Sequence, residues 1–175
     1  MKYIKGLGAA ILLILLDQLA KYLAVTILKP VVEIPLIPGV LSFYYHENRG
    51  AVWGLMQGSF PILGLITVFI LIALIWFYCR IPDAKKYKAL KVITVFLMAG
   101  AAGNLIDRVF RHFVVDFIYF KLIDFPIFNV ADIYVTVSAF LLILLVAFYY
   151  KDEHDFDFIF SRKAKAASDR NGTGE

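Results

Sequence analysis

The sequence predicts a membrane all-α core of four transmembrane helices, with a small β-sheet and loop on the outer surface, and three observations carry that prediction. Hydrophobic residues make up 61% of the chain and charged residues 18%, giving a mean hydropathy of +0.77, well above an ordinary soluble domain. Four apolar runs approach or exceed the roughly 20 residues that a helix needs to cross the hydrocarbon core. Between the first two lies a stretch of short β-branched and aromatic runs broken by two prolines and Gly39, a texture that favours strands. With 175 residues there is room for a few spans and short connections, so one membrane-embedded domain over residues 1–175 is expected.

The first span is placed at residues 6–28. Lys2, Lys5 and the run "AAILLILL" imitate a cleavable signal peptide, but Asp17 and Lys21 interrupt it and the apolar pattern then resumes, so it reads as a retained span. Residues 31–58, "VVEIPLIPGVLSFYYHENRGAVWGL" and its flanks, are assigned to the surface sheet. The remaining spans are placed at 61–79, 89–106 and 130–150. Each must be helical, because isolated backbone groups in lipid find no water to bond. The loop "RIPDAKKYKALK" and the tail 151–175 read as solvated connectors, the tail disordered beyond Ser161.

Orientation follows from the 18 Lys and Arg residues. Twelve lie on one side: Lys2, Lys5, Arg80, Lys85, Lys86, Lys88, Lys91, Lys151, Arg162, Lys163, Lys165 and Arg170. The other six are Lys21, Lys29, Arg49, Arg108, Arg111 and Lys121. The excess places both termini in the cytoplasm and turns the longer connections, 30–60 and 107–129, outward. Basic residues beside apolar spans act as orientation signals, so the net charge of +4 does not argue for nucleic acid. The single cysteine, Cys79, excludes an internal disulfide framework or a Cys-based zinc cluster.

Ionisable groups near spans need a reason, since one at mid-bilayer costs about 2.5 to 3.5 kcal/mol on insertion scales. Asp17 and Lys21 are four apart on one helical face, and a structural ion pair is the plainer reading. Asn48, Arg49 and Gly50 follow "SFYYHE"; a plain turn competes with a substrate contact for Arg49 and Gly50, while the Asn48 amide can both donate to and accept from an extended peptide. Asn104, Asp107, Arg108 and Arg111 share one helical face emerging at the outer surface. Asp107, with cations beside it, is expected to stay ionised and to serve as scaffold.

Asp116 is different, standing in "FVVDFIYF" with apolar residues on both sides, so desolvation raises its pKa. Asn129 and Asp132 open the last span in "FNVADIYVTV", where a capping box explains them without chemistry. Against that, the outer ends of two spans deliver Asp116 and Asp132 toward one site. Two carboxylates in a poorly hydrated pocket do not both ionise, so one keeps a proton while the other acts as base. That is aspartic-protease chemistry. Other schemes fare worse: His46, His112 and His154 form no HExxH pair, and no GxSxG elbow, P-loop or Rossmann glycine pattern is present. No metal or nucleotide site is visible. A small proton-coupled transporter or channel is the rival reading, as membrane carboxylates often mark ion paths, but here the acids gather at the outer ends of spans.

In order along the chain, "DQLAK", "NRGAVWG", "GNLIDR", "VVDFI" and "FNVAD" resemble the lipoprotein signal peptidase (signal peptidase II) family, four-span bacterial inner-membrane aspartic proteases. The resemblance implies catalytic aspartates at Asp116 and Asp132, and supporting or substrate-binding positions at Asp17, Lys21, Asn48, Gly50, Asn104, Asp107, Arg108, Asn129 and Ala131. It further implies cleavage of a prolipoprotein signal peptide before a diacylglyceryl cysteine, no cofactor, contact with membrane lipids, and inhibition by cyclic peptide antibiotics such as globomycin. Departures are Ala20 where a hydroxyl residue is common, Val52 and Trp53 where Ala and Phe are frequent, and Ser138 where glycine often stands. None falls on the two aspartates.

Overall fold

The computed structural model describes residues 3–50 and 60–160. Helix α1 (Ile4–Leu28) leads into strands β1 (Glu33–Ile37) and β2 (Leu41–Asn48). Helices α2 (Phe60–Arg80) and α3 (Lys88–Arg111) follow, then β3 (Val114–Tyr119) and α4 (Val130–Leu144), which runs on through a π-helical turn at Leu145–Tyr149. A 3₁₀ turn at Glu153–Phe156 and the short α5 (Asp157–Phe160) complete the described chain. Four helices, over Ile4–Leu28, Pro61–Arg80, Lys85–Arg111 and Val130–Tyr149, are long and apolar enough to cross a membrane, which agrees with the four expected spans.

Helix α3 is the centre of the bundle and packs against α1, α2 and α4. Its most apolar stretch is 39% buried, against none of the equivalent stretch of α2. Small buried residues, Ala99, Gly100 and Gly103, make this possible, because helices in lipid associate where backbones approach closely. A Cβ on Gly100 would lie 2.6 Å from the Ala131 carbonyl oxygen, so only glycine admits the start of α4 there. Elsewhere Leu12, Leu65, Phe69 and Ile143 are exposed, as suits a surface solvated by hydrocarbon.

The β-sheet has the order β1-β2-β3, antiparallel throughout. Its third strand comes from residues that follow α3 rather than from the 31–58 segment: β2 ends at Asn48, and residues 51–58 lie outside the described residues. His112, in the left-handed conformation at φ 62°, stops α3 and turns the chain into β3. Val115 and Phe117 on β3 pack against Ala24 and Leu28 of α1. Strand alternation therefore turns Asp116 to the opposite face. Opposite it on β2 stands His46, just after a register shift between Phe43 and His46 that adds twist to the strand.

At the other end of the bundle the tail departs from the solvated connector expected of it. Ile81, Leu90, Tyr150 and Phe158 form a buried cluster ringed by Phe77, Tyr87 and Phe156. Tyr87 and Tyr150 stack with ring centres 5.6 Å apart. Their hydroxyls donate to the Asp155 carbonyl at 3.1 Å and the Lys86 carbonyl at 3.0 Å, and Lys86 pairs with the Asp155 carboxylate. Aromatic spacing in "FYCRIP" and "DFDFIF" therefore serves packing. Residues beyond Ser161, where disorder was expected, lie outside the described residues.

Candidate active site

Asp116 reaches the site from β3 and Asp132 from the first turn of α4. Asn129 links them. Its side-chain amide donates to Asp116 Oδ1 at 2.6 Å, and its backbone N–H donates to Asp132 Oδ2 at 3.0 Å. The Asn129 side-chain oxygen accepts from the Asp132 backbone N–H at 3.0 Å, so the capping box at the start of α4 is formed. Capping and carboxylate placement are thus one arrangement: an acid at this position complements the helix N-terminus, and the amide left over is aimed at Asp116.

Asn104 on α3 extends the relay. Its Nδ2 donates to Asp132 Oδ1 at 2.8 Å, while its Oδ1 accepts from Asn129 at 3.2 Å and from the Lys21 ammonium at 2.8 Å. Lys21 also meets Asp17 at 3.0 Å and Asp107 at 3.1 Å, and all three ionic side chains are fully buried. An ammonium has three donors, and each has an acceptor here. The carboxylates hold backbone in turn: Asp17 accepts from the Ala131 N–H at 2.9 Å, and Asp107 from the Val115 N–H at 3.1 Å. Arg111 approaches Asp107 at 3.4 Å, which brings a second cation to two acids and offsets the charge of the cluster.

On the sheet side, Asn48 Nδ2 donates to Asp116 Oδ2 at 2.9 Å. The Gly50 N–H donates to Asn48 Oδ1 at 3.0 Å, which fixes which end of that amide faces the acid. Each Asp116 oxygen therefore has one amide donor. Arg49 turns elsewhere, to Glu47 at 3.0 Å and over the Phe113 ring at 5.4 Å. Arg108 lies along a cleft with Asn104 and Asp132.

Burial, and next the negative charge of Asp132, push the Asp116 carboxyl up to about 7. Amide donors Asn48 and Asn129 and the charge of Lys21 pull it down, but neutral amides compensate a buried carboxylate less than a cation would. The cleft beside Asp132 has a volume of about 410 Å³ and opens between α2, α3 and α4, where Thr67, Ile70, Leu74 and Leu97 line it. Apolar walls with a few convergent polar groups are the usual make-up of a ligand-binding cleft. Among the described residues no group of His, Cys, Asp or Glu is arranged to hold a metal ion.

The structure thus gathers Asp17, Lys21, Asn48, Gly50, Asn104, Asp107, Asn129, Ala131, Asp116 and Asp132 into one connected network, with Arg108 beside it. Gln18 belongs to it as well, although the sequence reading passes over it. Its amide donates to Asp17 at 3.2 Å and to the Gly103 carbonyl at 3.1 Å. Gly103 is the other omission: a Cβ there would meet Asp17 Oδ2 at 2.5 Å. Both sit inside quoted motifs, next to a charged or amide residue, which is the signal that marks them. Ala20 and Ser138 are explained by position: Ala20 packs on the apolar Val115 and Phe117 cluster, and Ser138 is buried within α4.

A sequence model of the family described as Signal peptidase (SPase) II matches residues 9–148. A lipoprotein signal peptidase of Staphylococcus aureus strain MRSA252 is 40% identical over 137 residues, 77% of this chain and 83% of the relative. Its counterpart in strain JH9 is 39% identical over the same shares. Two solved structures are also similar. A bacterial membrane enzyme determined by the in meso method at 2.3 Å resolution has a TM-score of 0.73 and 38% identity, over 85% of this chain and 92% of that one. Another, at 1.9 Å, has a TM-score of 0.72 and 37% identity, over 83% and 94%.

Proposed function

Since this chain belongs to the signal peptidase II family of membrane proteases, we propose that it cleaves prolipoproteins before a diacylglyceryl-modified cysteine, using Asp116 and Asp132 to activate water. The observation that carries the reading is Asn129, whose side chain and backbone bond one aspartate each. One carboxylate takes a proton from water as the water oxygen attacks the scissile carbonyl, and the protonated partner donates to the carbonyl oxygen. As the tetrahedral gem-diol collapses, the first carboxyl gives its proton to the departing amine while the partner carboxylate takes a proton back from one hydroxyl of the diol, which leaves a new carboxyl group and restores the pair. Asp116, held near 7 by burial, is the natural proton donor at neutral pH. The family match to a peptidase replaces the transporter reading.

The apolar cleft between α2, α3 and α4 supports entry of the substrate from the bilayer, and cyclic peptide inhibitors of the globomycin type would compete there. Twelve of the 18 Lys and Arg residues on one side support both termini in the cytoplasm, with the active site at the outer face of the bacterial cytoplasmic membrane. The test is cleavage of a diacylglyceryl prolipoprotein by purified Asp116→Asn and Asp132→Asn. Each should lose turnover by about a thousand-fold or more, roughly 4 kcal/mol of barrier, with helical content retained. Full activity in either variant sinks the pair.

A further inference from the structure

A second depression, of about 630 Å³, lies on the sheet and is bordered by Glu33, Tyr44, His46, Tyr119, Lys121 and Asp124. It touches the candidate active site in two places. His46 is the cross-strand partner of Asp116, and directly opposed residues project to the same face of a sheet. Phe125 and Pro126 border both this depression and the cleft that holds Asn104, Arg108 and Asp132. The two openings differ in chemistry, one apolar and set among spans, the other polar and set on the sheet.

We propose that this depression receives the first few residues downstream of the cleaved bond. The inference rests on the prolipoprotein reading above. Such a substrate has three arms at its scissile bond. The signal helix and the diacylglycerol both partition into hydrocarbon, which the cleft among the spans serves. The third arm is a polar polypeptide that must leave through water, and the depression is the polar surface continuous with the site. At about 3.3 Å per extended residue, the second to fourth residues after the bond reach it.

Its charges set a preference. Lys121 donates to Glu33 at 2.9 Å, so those two offset each other. Asp124 accepts from the neutral Tyr119 hydroxyl at 2.7 Å, a donor that brings no positive charge to offset the carboxylate. Tyr44 and Tyr119 meet edge to face, ring centres 5.9 Å apart, and give an aromatic wall for an aliphatic stem. The depression therefore selects a basic side chain over an acidic one.

The experiment uses the full-length protein and diacylglyceryl peptides identical through the cysteine but carrying Lys, Gly or Asp at the second to fourth positions after the cleaved bond. At low salt KM should be about ten-fold lower for Lys than for Asp, with Gly between them and kcat unchanged, as expected for a difference of two unit charges about 6 Å from Asp124 in a watery setting. High salt should erase the difference. Asp124→Asn should erase it too; asparagine tolerates the φ of 47° at this position, so the fold is kept. A KM indifferent to those residues, or a preference that survives Asp124→Asn, overturns the proposal. Failure to cleave any of the peptides instead overturns the prolipoprotein reading on which it rests.

Discussion

Val115 and Ala131, on different elements, are held in the same way: each donates its backbone N–H to a carboxylate that is salt-bridged to Lys21. Val115 precedes Asp116 and Ala131 precedes Asp132. One buried cation thus sets the positions of two strands of backbone, and through them the separation of the two acids. The polar residues that the spacing marks as scaffold are scaffold for the candidate site specifically, because they bond backbone on β3 and α4 next to the two acids.

Removal of the hub is therefore predicted to be severe. Lys21→Met leaves Asp17 buried without a cation and Asp107 with only Arg111, and should cost about 3 to 5 kcal/mol, read as thermal unfolding in detergent. Adding Asp17→Asn should recover part of that loss, because the two changes share one network. Additive losses in the double variant would show that the cluster does not act as a unit.

The pH dependence follows from Asp116, raised from 3.8 to about 7. A raised carboxyl binds a proton in the folded state that the unfolded state has released, so stability should fall as pH rises from about 4 to 7. Turnover should decline on the alkaline side through about 7, with apparent values that belong to the pair. Asn48 stabilises the charged form, so Asn48→Ala should move that alkaline limb to higher pH. An unmoved limb, in a folded variant, would break the link between Asn48 and the titration.

Close helix approach gives a third prediction. In Gly100→Ala the new methyl would sit 2.6 Å from the Ala131 carbonyl oxygen and 2.7 Å from Val135 Cγ2. Backbone must move to relieve it, at about 1 to 3 kcal/mol, and the movement displaces the first turn of α4 with Asp132. We expect kcat to fall more than KM changes, measured by steady-state cleavage.

The inner aromatic cluster should behave as the opposite case. Phe158→Ala removes a side chain only 8% exposed and should cost about 3 kcal/mol. From Leu90 in the cluster to Asn104 in the site α3 rises about 20 Å, so kcat and KM should hold at temperatures where the variant is folded. A large loss of kcat there would tie the two ends of the bundle together.

The four spans were legible because hydropathy and length are local properties, and the aspartates because charge in an apolar setting stands out. The third strand was not. "FVVDFIYF" is a short apolar run of the kind that does not declare helix or strand by periodicity, and its partner β2 is brought to it only by the return of the chain through two spans. Asn48 and Asp116 meet across 68 residues of sequence. Gln18 and Gly103 were hidden for a related reason: their work lies in what they approach on neighbouring helices. For Asn129, the cap was readable and the bond to Asp116 was not, since the cap is local and the bond depends on where β3 lies.

All the side-chain amides that touch the two aspartates belong, among the described residues, to asparagines: Asn48, Asn104 and Asn129. Asparagine is one of the thermolabile side chains, and its hydrolysis would turn a donor into a third carboxylate facing an acid. Arg49, Leu105 and Val130 follow the three asparagines, and bulky successors hinder the cyclisation that starts such hydrolysis. The working lifetime of the protein is thus set partly by the residues that follow its three site asparagines.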